Sequence, residues 1–241
     1  MQIITVDNYE EMSVICAEIL RDVVKSNPFA TLGLATGSSV LGTYAQLCKM
    51  YANGEISFKN IKTVNLDEYI GLDGNDQQSY AYFMRTNLFN HTDINKANTF
   101  IPCGVAVDLS AECKRYDDLL TTLPRDVQLL GLGRDGHIAF NEPGAPFNER
   151  TRVVQLEEST VRDNARLFAR LEDVPKRAIT MGIADIMSAK QLVLVASGLN
   201  KAQAVKAMVQ GEISVDCPAS ILQRHPNATV ILDKLAASLL Q

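Results

Sequence analysis

Residues 127–143 read VQLLGLGRDGHIAFNEP, an apolar run that passes into a cluster of glycine, charged and aromatic residues. The apolar part, residues 127–132, predicts a buried strand. The glycines fit the GxGxxG pattern of dinucleotide-binding loops, but that pattern requires a crossover helix directly after them. Pro143, Gly144 and Pro146 would break such a helix. The stretch therefore predicts a strand that ends in a site of another kind.

The same arrangement, a short apolar run followed by polar residues, occurs twice earlier in the chain. Residues 31–35 precede Thr36-Gly37-Ser38-Ser39, and residues 62–66 precede Asp67-Glu68. Both runs predict buried strands. Further predicted strands lie at residues 178–182, 192–196 and 229–232.

Helical patterns separate these runs. Met12, Ile15, Ile19 and Val23 recur at the spacing of an amphipathic helix. Further helices are predicted at residues 79–89, at 110–120 with Ser110 as the N-cap, at 158–168, and through Ala202, Val205 and Met208.

Strands that alternate with helices imply an α/β fold, with an open, mainly parallel sheet and helices on both faces, as in Rossmann-like proteins. In 241 residues we find no linker, so we expect a single domain over residues 1–241. Sheets of this kind bind ligands beyond the carboxyl ends of their strands, where the strand order reverses. Because the polar clusters fall at such ends, we expect one composite site.

Composition excludes several classes of protein. A net charge of -5 gives no broad attraction for nucleic acid or acidic membranes, so neither is expected as a partner. No apolar segment approaches the ~20 residues of a membrane span, and the first residues do not resemble a signal peptide. The five cysteines have irregular spacing, which favours reduced thiols in a cytoplasmic protein over a zinc site or disulfides.

Three clusters carry residues suited to chemistry. Thr36, Gly37, Ser38 and Ser39 precede a predicted helix, where free amides and hydroxyls form an anion pocket; the alternative is a tight turn with a serine N-cap. Asp67 follows a buried strand and is suited to act as a general base, unless it is only a surface acid. His137 has two acids nearby in the chain, Asp135 and Glu142, an arrangement that tunes an imidazole for proton transfer.

Two cations could complete an anion site. Arg166 and Lys201 would clamp a phosphate if their side chains converged. Arg166 also lies four residues from both Arg162 and Arg170, a spacing that by itself favours an exposed helical stripe.

Taken together, these segments resemble the glucosamine-6-phosphate deaminase/isomerase family. The resemblance extends from Leu32 to Pro226, and DGHIAFNEP at residues 135–143 is its most specific part. The other segments that carry it are LGLATGSS (32–39), NLDEYIGL (65–72), RDNARLF (162–168), the lysine after VASGLN (195–200) and ASILQRHP (219–226).

The resemblance implies conversion of glucosamine 6-phosphate and water into fructose 6-phosphate and ammonia, without metal or cofactor. It implies that Asp67 moves the proton on C2 and that His137 opens the sugar ring with help from Asp135 and Glu142. The phosphate would be held by Ser38, Ser39, Arg166 and Lys201, beside Thr36 and Gly37. The expected partner is this small substrate, and the protein is expected to be a monomer or a small homo-oligomer.

Two alternatives come from the same fold. A 6-phosphogluconolactonase needs an activated water but no base at C2, and lactonase loops usually continue from the histidine with threonine-alanine-serine. Residues 138–143 here follow the deaminase pattern instead. A sugar-phosphate sensor domain would explain the anion pocket, but it predicts a helix-turn-helix segment and a basic face, and the sequence shows neither.

We predict weak or absent activation by N-acetylglucosamine 6-phosphate. The longer, hexameric members of the family are activated by this compound through basic residues after the catalytic loop and a longer C-terminal tail. Here Arg152 is present, but Val154 stands in place of lysine, and the chain ends soon after Asp233-Lys234. Initial rates measured with and without N-acetylglucosamine 6-phosphate check this prediction, and a clear activation curve would contradict it.

Overall fold

The computed structural model describes residues 1–165, 168 and 170–241. The strands in this part of the chain are β1 (Gln2–Val6), β2 (Thr31–Leu34), β3 (Lys62–Asn65), β4 (Asp67–Tyr69), β5 (Thr99–Phe100), β6 (Val127–Gly131), β7 (Arg152–Gln155), β8 (Arg177–Thr180), β9 (Leu192–Ala196) and β10 (Ala228–Asp233). Within the same residues, seven strands form a parallel sheet in the order β1-β10-β9-β6-β2-β3-β5. This confirms the predicted α/β fold with a mainly parallel sheet.

The helices are α1 (Tyr9–Ser26), α2 (Leu41–Ala52), α3 (Tyr80–Asn87), α4 (Leu109–Thr122), α5 (Glu158–Asn164), α6 (Ile183–Met187) and α7 (Ala202–Gln210). The side chain of Asn8 caps α1 by accepting a hydrogen bond from the Glu11 N–H at 2.9 Å. Met12, Cys16 and Leu20 form part of the buried face of α1. Among the described residues, no helix has both the length and the apolar character needed to cross a bilayer.

The strands at the centre of the parallel sheet are almost wholly apolar because helices cover both faces. All five residues of β9 are buried, and both of its ends agree with the sequence prediction. The chain builds β2 and β3 in one direction and then returns to place β6 on the other side of β2. This reversal of strand order creates a crevice at the carboxyl ends of β2 and β6.

A second, antiparallel sheet in the order β4-β8-β7 lies beyond the end of β3. We predicted a strand at residues 178–182; its first three residues belong to β8, which begins one residue earlier, at Arg177, and ends at Thr180. β8 pairs with β4 so that Asp67 lies opposite Thr180. The sequence did not indicate β1, β4, β5 or β7. β4 and β5 are too short to show periodicity, and β7 carries polar residues at both ends.

The expected N-cap of α4 was wrong. The helix begins one residue before Ser110, and the cap is Asp108, whose carboxylate accepts hydrogen bonds from the Ser110 and Ala111 N–H groups at 2.9 and 3.0 Å. Aspartate and serine are both good caps, and the aspartate accepts both amides at once. The predicted helix at 158–168 is confirmed over α5, and the remainder includes residues 166 and 167, which lie outside the described residues.

Gly182 joins β8 to α6 where the chain passes very close to another segment. A Cβ atom at Gly182 would lie 2.1 Å from the carbonyl oxygen of Glu149 and 2.4 Å from that of Arg150. Backbone atoms cannot give way as a flexible side chain can, so we predict that Gly182→Ala lowers the free energy of unfolding by about 1–3 kcal/mol. Urea denaturation measures this change.

Gly74→Ala is the control, because a Cβ atom there would make only ordinary contacts at 3.6 and 3.7 Å. Its free energy of unfolding should stay within about 0.5 kcal/mol of the parent value. Equal stability of the two variants would contradict the prediction.

Candidate active site

A cavity of about 390 Å³ opens at the carboxyl ends of β2, β3, β6 and β9. The segment after each of these four strands contributes to its wall, as expected for a parallel sheet with a reversal of strand order. Seven of the predicted site residues line it: Thr36, Gly37, Ser38, Ser39, Asp67, His137 and Lys201. The structure therefore brings the three sequence clusters into one site.

The loop after β2 has the form of an anion pocket. Gly37 has a φ of +97°, a conformation that favours glycine, and it leads into a 3-10 turn over Ser38–Val40 that continues as α2. The hydroxyl of Tyr9 donates to the Ser38 carbonyl at 2.9 Å and accepts from the Gly42 N–H at 2.8 Å. The turn is thus fixed from behind, and Ser38 and Ser39, at the beginning of the helix, line one wall of the cavity.

Asp67 is the buried acid of the site, with 6% of its surface exposed. Burial and the neighbouring Glu68 carboxylate raise the pKa of Asp67 well above its ordinary range. A carboxylate whose pKa is raised in this way is a stronger base than one in water once it is ionised. Asp67 is therefore equipped to remove a proton from carbon if a substrate presents one.

Glu68 lies beside Asp67 but has a structural role. Its carboxylate accepts hydrogen bonds from the N–H groups of Tyr69, Tyr80 and Ala81, all at 2.9 Å, and so holds the beginning of α3. Burial raises the pKa of Glu68 to about 7, although these three N–H groups act in the opposite direction. The helix placed in this way carries Tyr80 into the wall of the cavity.

His137 and Asp135 form a close pair. The Nδ1 atom of His137 lies 2.7 Å from Oδ1 of Asp135, and the His137 N–H donates to the same oxygen at 3.2 Å. Partial burial raises the pKa of the Asp135 carboxyl, but its contacts with His137 outweigh this and bring it to about 2. Because a carboxylate only accepts, this contact favours a hydrogen on Nδ1, which leaves Nε2 as the nitrogen suited to exchange a proton.

Glycine allows the imidazole to lie against the chain. A Cβ atom on Gly133 would lie 2.3 Å from Nδ1 of His137, so no larger residue fits there without displacing the ring.

The backbone that follows His137 is strained. Ala139 has a φ of +53° and is, within the described part of the chain, the one non-glycine residue with a positive φ. Such a conformation costs about 1–3 kcal/mol and persists where neighbours enforce it.

Asn141 provides that enforcement. Its fully buried amide donates to the carbonyl groups of Ile138 and Met181 at 3.0 and 2.9 Å. Its Oδ1 accepts from Nη1 of Arg152 at 2.8 Å. The Phe140 N–H also donates to the hydroxyl of Thr180, in β8, at 3.1 Å. The loop from His137 to Asn141 is therefore fastened to both β7 and β8, and Ala139 and Phe140 are held in the cavity wall.

We expected Glu142 to assist His137, and the contacts of its carboxylate in the structure are with other groups. One of its oxygens accepts from the Glu157 N–H at 2.9 Å, and the other accepts from the Thr160 hydroxyl at 2.5 Å. Glu142 thus connects the end of the His137 loop to α5, while the ring of His137 contacts Asp135.

Of the two predicted cations, Lys201 lines the cavity and Arg166 lies outside the described residues. Sequence reasoning did not single out several other lining residues: Tyr80, Arg134, Ala139, Phe140, Thr160, Ser197 and Asn200. A signal existed for Ser197, because Ala196-Ser197-Gly198 after β9 repeats the pattern of Ala35-Thr36-Gly37 after β2.

A model of the family described as glucosamine-6-phosphate isomerases/6-phosphogluconolactonase matches residues 7–231. The chain belongs to this family. One family relative, the glucosamine-6-phosphate deaminase of Clostridium perfringens (strain 13), is 48% identical over 242 residues and is covered over 100% of both chains. Another, glucosamine-6-phosphate deaminase 1 of Bacillus subtilis (strain 168), is 49% identical, with 99% of each chain covered.

Two solved structures resemble the fold of this chain to different degrees. A monomeric glucosamine-6-phosphate deaminase matches with a TM-score of 0.98 at 49% identity, over 99% of this chain and 100% of that chain. The 6-phosphogluconolactonase of Trypanosoma brucei matches with a TM-score of 0.80 at 21% identity, over 100% of this chain and 98% of that chain. The second likeness shows the common fold alone.

The raised pKa of Asp67 predicts a pH-dependent gain in stability for Asp67→Asn. Below the unfolded pKa the carboxyl is protonated in both states and costs nothing; as the pH rises toward the higher folded pKa, its burial destabilises the fold. Asparagine removes this cost, so the Tm of the variant should exceed the parent Tm by about 2–4 °C at neutral pH. Near pH 4 the difference should shrink.

Scanning calorimetry at the two pH values tests this, with Asp118→Asn as the control. The Asp118 side chain is 66% exposed, so its replacement should give no such pH-dependent gain. The same Tm difference for Asp67→Asn at both pH values would contradict the assignment.

Proposed function

We propose that this cavity isomerises and deaminates glucosamine 6-phosphate, giving fructose 6-phosphate and ammonia with the consumption of one water. The observation that carries the proposal is the convergence of three parts on one cavity: the buried acid Asp67, the His137–Asp135 pair and the anion loop at residues 36–39. Full-length identity of about half to glucosamine-6-phosphate deaminases supports the same reaction.

The phosphate end of the substrate belongs at the helix starts. Backbone amides, the hydroxyls of Ser38 and Ser39, and the ammonium of Lys201 supply donors and positive charge there, beside Thr36 and Gly37. Arg166 remains a proposed fourth contact on the strength of the sequence. A phosphate bound at this end directs the sugar toward Asp67 and His137.

The first chemical step is opening of the pyranose ring. His137 is proposed to pass a proton from the anomeric hydroxyl to the ring oxygen, which breaks the C1–O5 bond and produces the free aldehyde. Asp135 keeps Nδ1 protonated and stabilises the ring when it is charged, so that Nε2 performs the transfer. Opening is necessary because only the aldehyde makes the proton on C2 acidic.

Asp67 then removes the proton from C2 and returns it to C1. In this isomerisation the amine also gives up one proton to the C1 oxygen, so that C1 becomes a hydroxymethyl group and C2 an imine. Water adds to the imine, and loss of ammonia leaves the ketone of fructose 6-phosphate. The steps move protons and one water and transfer no electrons to an acceptor, so we propose that no cofactor takes part. Glu142 is proposed to assist through Thr160, which it holds in the cavity wall.

The wider setting is also proposed. We take residues 1–241 as one catalytic domain that acts on a small substrate, with no nucleic acid or membrane partner. A monomer or a small homo-oligomer is expected, and the monomeric deaminase at 49% identity supports the first. The five free cysteines support a cytoplasmic protein.

The deciding experiment incubates the purified protein with glucosamine 6-phosphate, without added metal or nucleotide, and measures ammonia and fructose 6-phosphate together. We expect equal amounts of the two products. Asp67→Asn removes the base and His137→Gln removes the proton carrier, so each should lower kcat by about 10²–10⁴-fold.

Asp118→Asn and His91→Gln serve as matched controls. Asp118 is exposed on α4, and His91 is an exposed residue whose ring contacts the Thr86 carbonyl. Both should retain parental kcat. Hydrolysis of 6-phosphogluconolactone without release of ammonia from the amino sugar would replace the proposal with the lactonase alternative.

A further inference from the structure

The two strands that flank β6 end in loops of the same design. After β2 the chain reads Ala-Thr-Gly-Ser-Ser-Val at residues 35–40, and after β9 it reads Ala-Ser-Gly-Leu-Asn-Lys at residues 196–201. Gly37 and Gly198 have φ values of +97° and +93°. Each glycine is followed by a three-residue 3-10 turn and then by a helix, α2 or α7. We call these segments loop A (35–40) and loop B (196–201).

The internal bonding of the two loops also corresponds. In loop A the Val40 N–H donates to the Gly37 carbonyl at 3.4 Å, and in loop B the Lys201 N–H donates to the Gly198 carbonyl at 3.0 Å. Both loops line the cavity, and they lie on opposite sides of the end of β6. The anion end of the cavity is therefore built from two equivalent halves, each of which presents the beginning of a helix.

Loop B is fixed from behind by one side chain. Asp233, the last residue of β10, accepts from the Ser197 hydroxyl at 2.6 Å and from the Gly198 N–H at 3.0 Å to each carboxylate oxygen. It also accepts from the Ala236 N–H at 2.7 Å. The parallel register pairs Leu232 with Ala196, so the end of β10 arrives beside the point where loop B begins. Asp233 is buried and is not among the described residues that line the cavity.

We propose that Asp233 is a positioning residue for substrate phosphate: by holding Ser197 and Gly198 from behind, it orients the turn that carries Asn200 and Lys201 toward the anion. The inference rests on the proposed function, since it assumes that the substrate's phosphate binds between loops A and B. Loop A has an analogous support in the hydroxyl of Tyr9, which bonds Ser38 and Gly42.

The charge of Asp233 makes the inference testable. Burial raises the pKa of Asp233, but the Ser197 hydroxyl and the backbone N–H donors outweigh it and lower the pKa below its ordinary range, so the group is an anion at neutral pH. Removing this negative charge would, by simple electrostatics, strengthen binding of a phosphate nearby. Loss of the loop's support would weaken binding. The two effects have opposite signs.

The test is Asp233→Asn, which keeps the size of the side chain but has one acceptor oxygen in place of two. We expect the KM for glucosamine 6-phosphate to rise about tenfold, the size of effect of one lost charge-assisted hydrogen bond. The kcat should change by less than about twofold, because the phosphate lies away from the reacting carbons. The inhibition constant of inorganic phosphate should rise by the same factor as the KM.

Asp93→Asn is the matched control. Like Asp233, Asp93 accepts from a hydroxyl and from backbone; its donors are the Ser57 hydroxyl and the Phe58 N–H, both at 2.6 Å. Asp93, Ser57 and Phe58 are not among the described residues that line the cavity. This variant should lower Tm without changing the KM. An unchanged or lowered KM in a folded Asp233→Asn variant would overturn the proposal.

If Asp233→Asn fails to fold, Ser197→Ala tests the same support by removing the hydroxyl donor and leaving the bond from Gly198 to Asp233 in place. A KM raised about threefold or more in this variant supports the inference, and an unchanged KM overturns it. Binding of inorganic phosphate, followed by thermal shift, needs no turnover. It therefore tests the role of Asp233 separately even if the parent protein releases no ammonia.

Discussion

Parallel pairing of β2, β6 and β9 obliges their carboxyl ends to meet at one edge of the sheet, and the site depends on this constraint. Each strand is buried along nearly its whole length between two layers of helices, so a shift of one residue would exchange the side chains that pack against the two layers. The same register that protects the core therefore fixes the position of the anion loops and of the His137 loop to within a residue.

Proton chemistry in this setting has an energetic cost. Asp67 and Glu68 are adjacent buried carboxyl groups; burial raises the pKa of both, and the Glu68 carboxylate raises the pKa of Asp67 further. The protein offsets the cost for Glu68 with three backbone N–H donors, whereas Asp67 keeps a raised pKa and faces the cavity. Two neighbouring acids thus divide the work: one organises a helix, and the other remains available for proton transfer.

The sequence was most informative where a residue's environment is local. The strand β9 and the three clusters at 36–39, 67–68 and 135–142 could be placed because apolar runs and turn residues are adjacent in the chain. The antiparallel sheet could not, since β4 is three residues long and pairs with a strand more than a hundred residues away. The contact of Glu142 with Thr160 and the support of loop B by Asp233 likewise depend on tertiary approach, which spacing does not encode.

The pairing of β1 with β10 has a consequence for how the protein is made. β1 lies more than two hundred residues before its partner in the sheet, β10, and is therefore synthesised well before it. The backbone N–H and C=O groups of β1 that pair with β10 therefore stay unpaired while the residues between the two strands are synthesised. Parallel pairing between strands so far apart in the chain also forms slowly. During that interval α1 can pack against α2, but the part of its surface that β9 and β10 cover in the complete fold stays exposed. On the ribosome this parallel sheet can be completed only after β10 emerges.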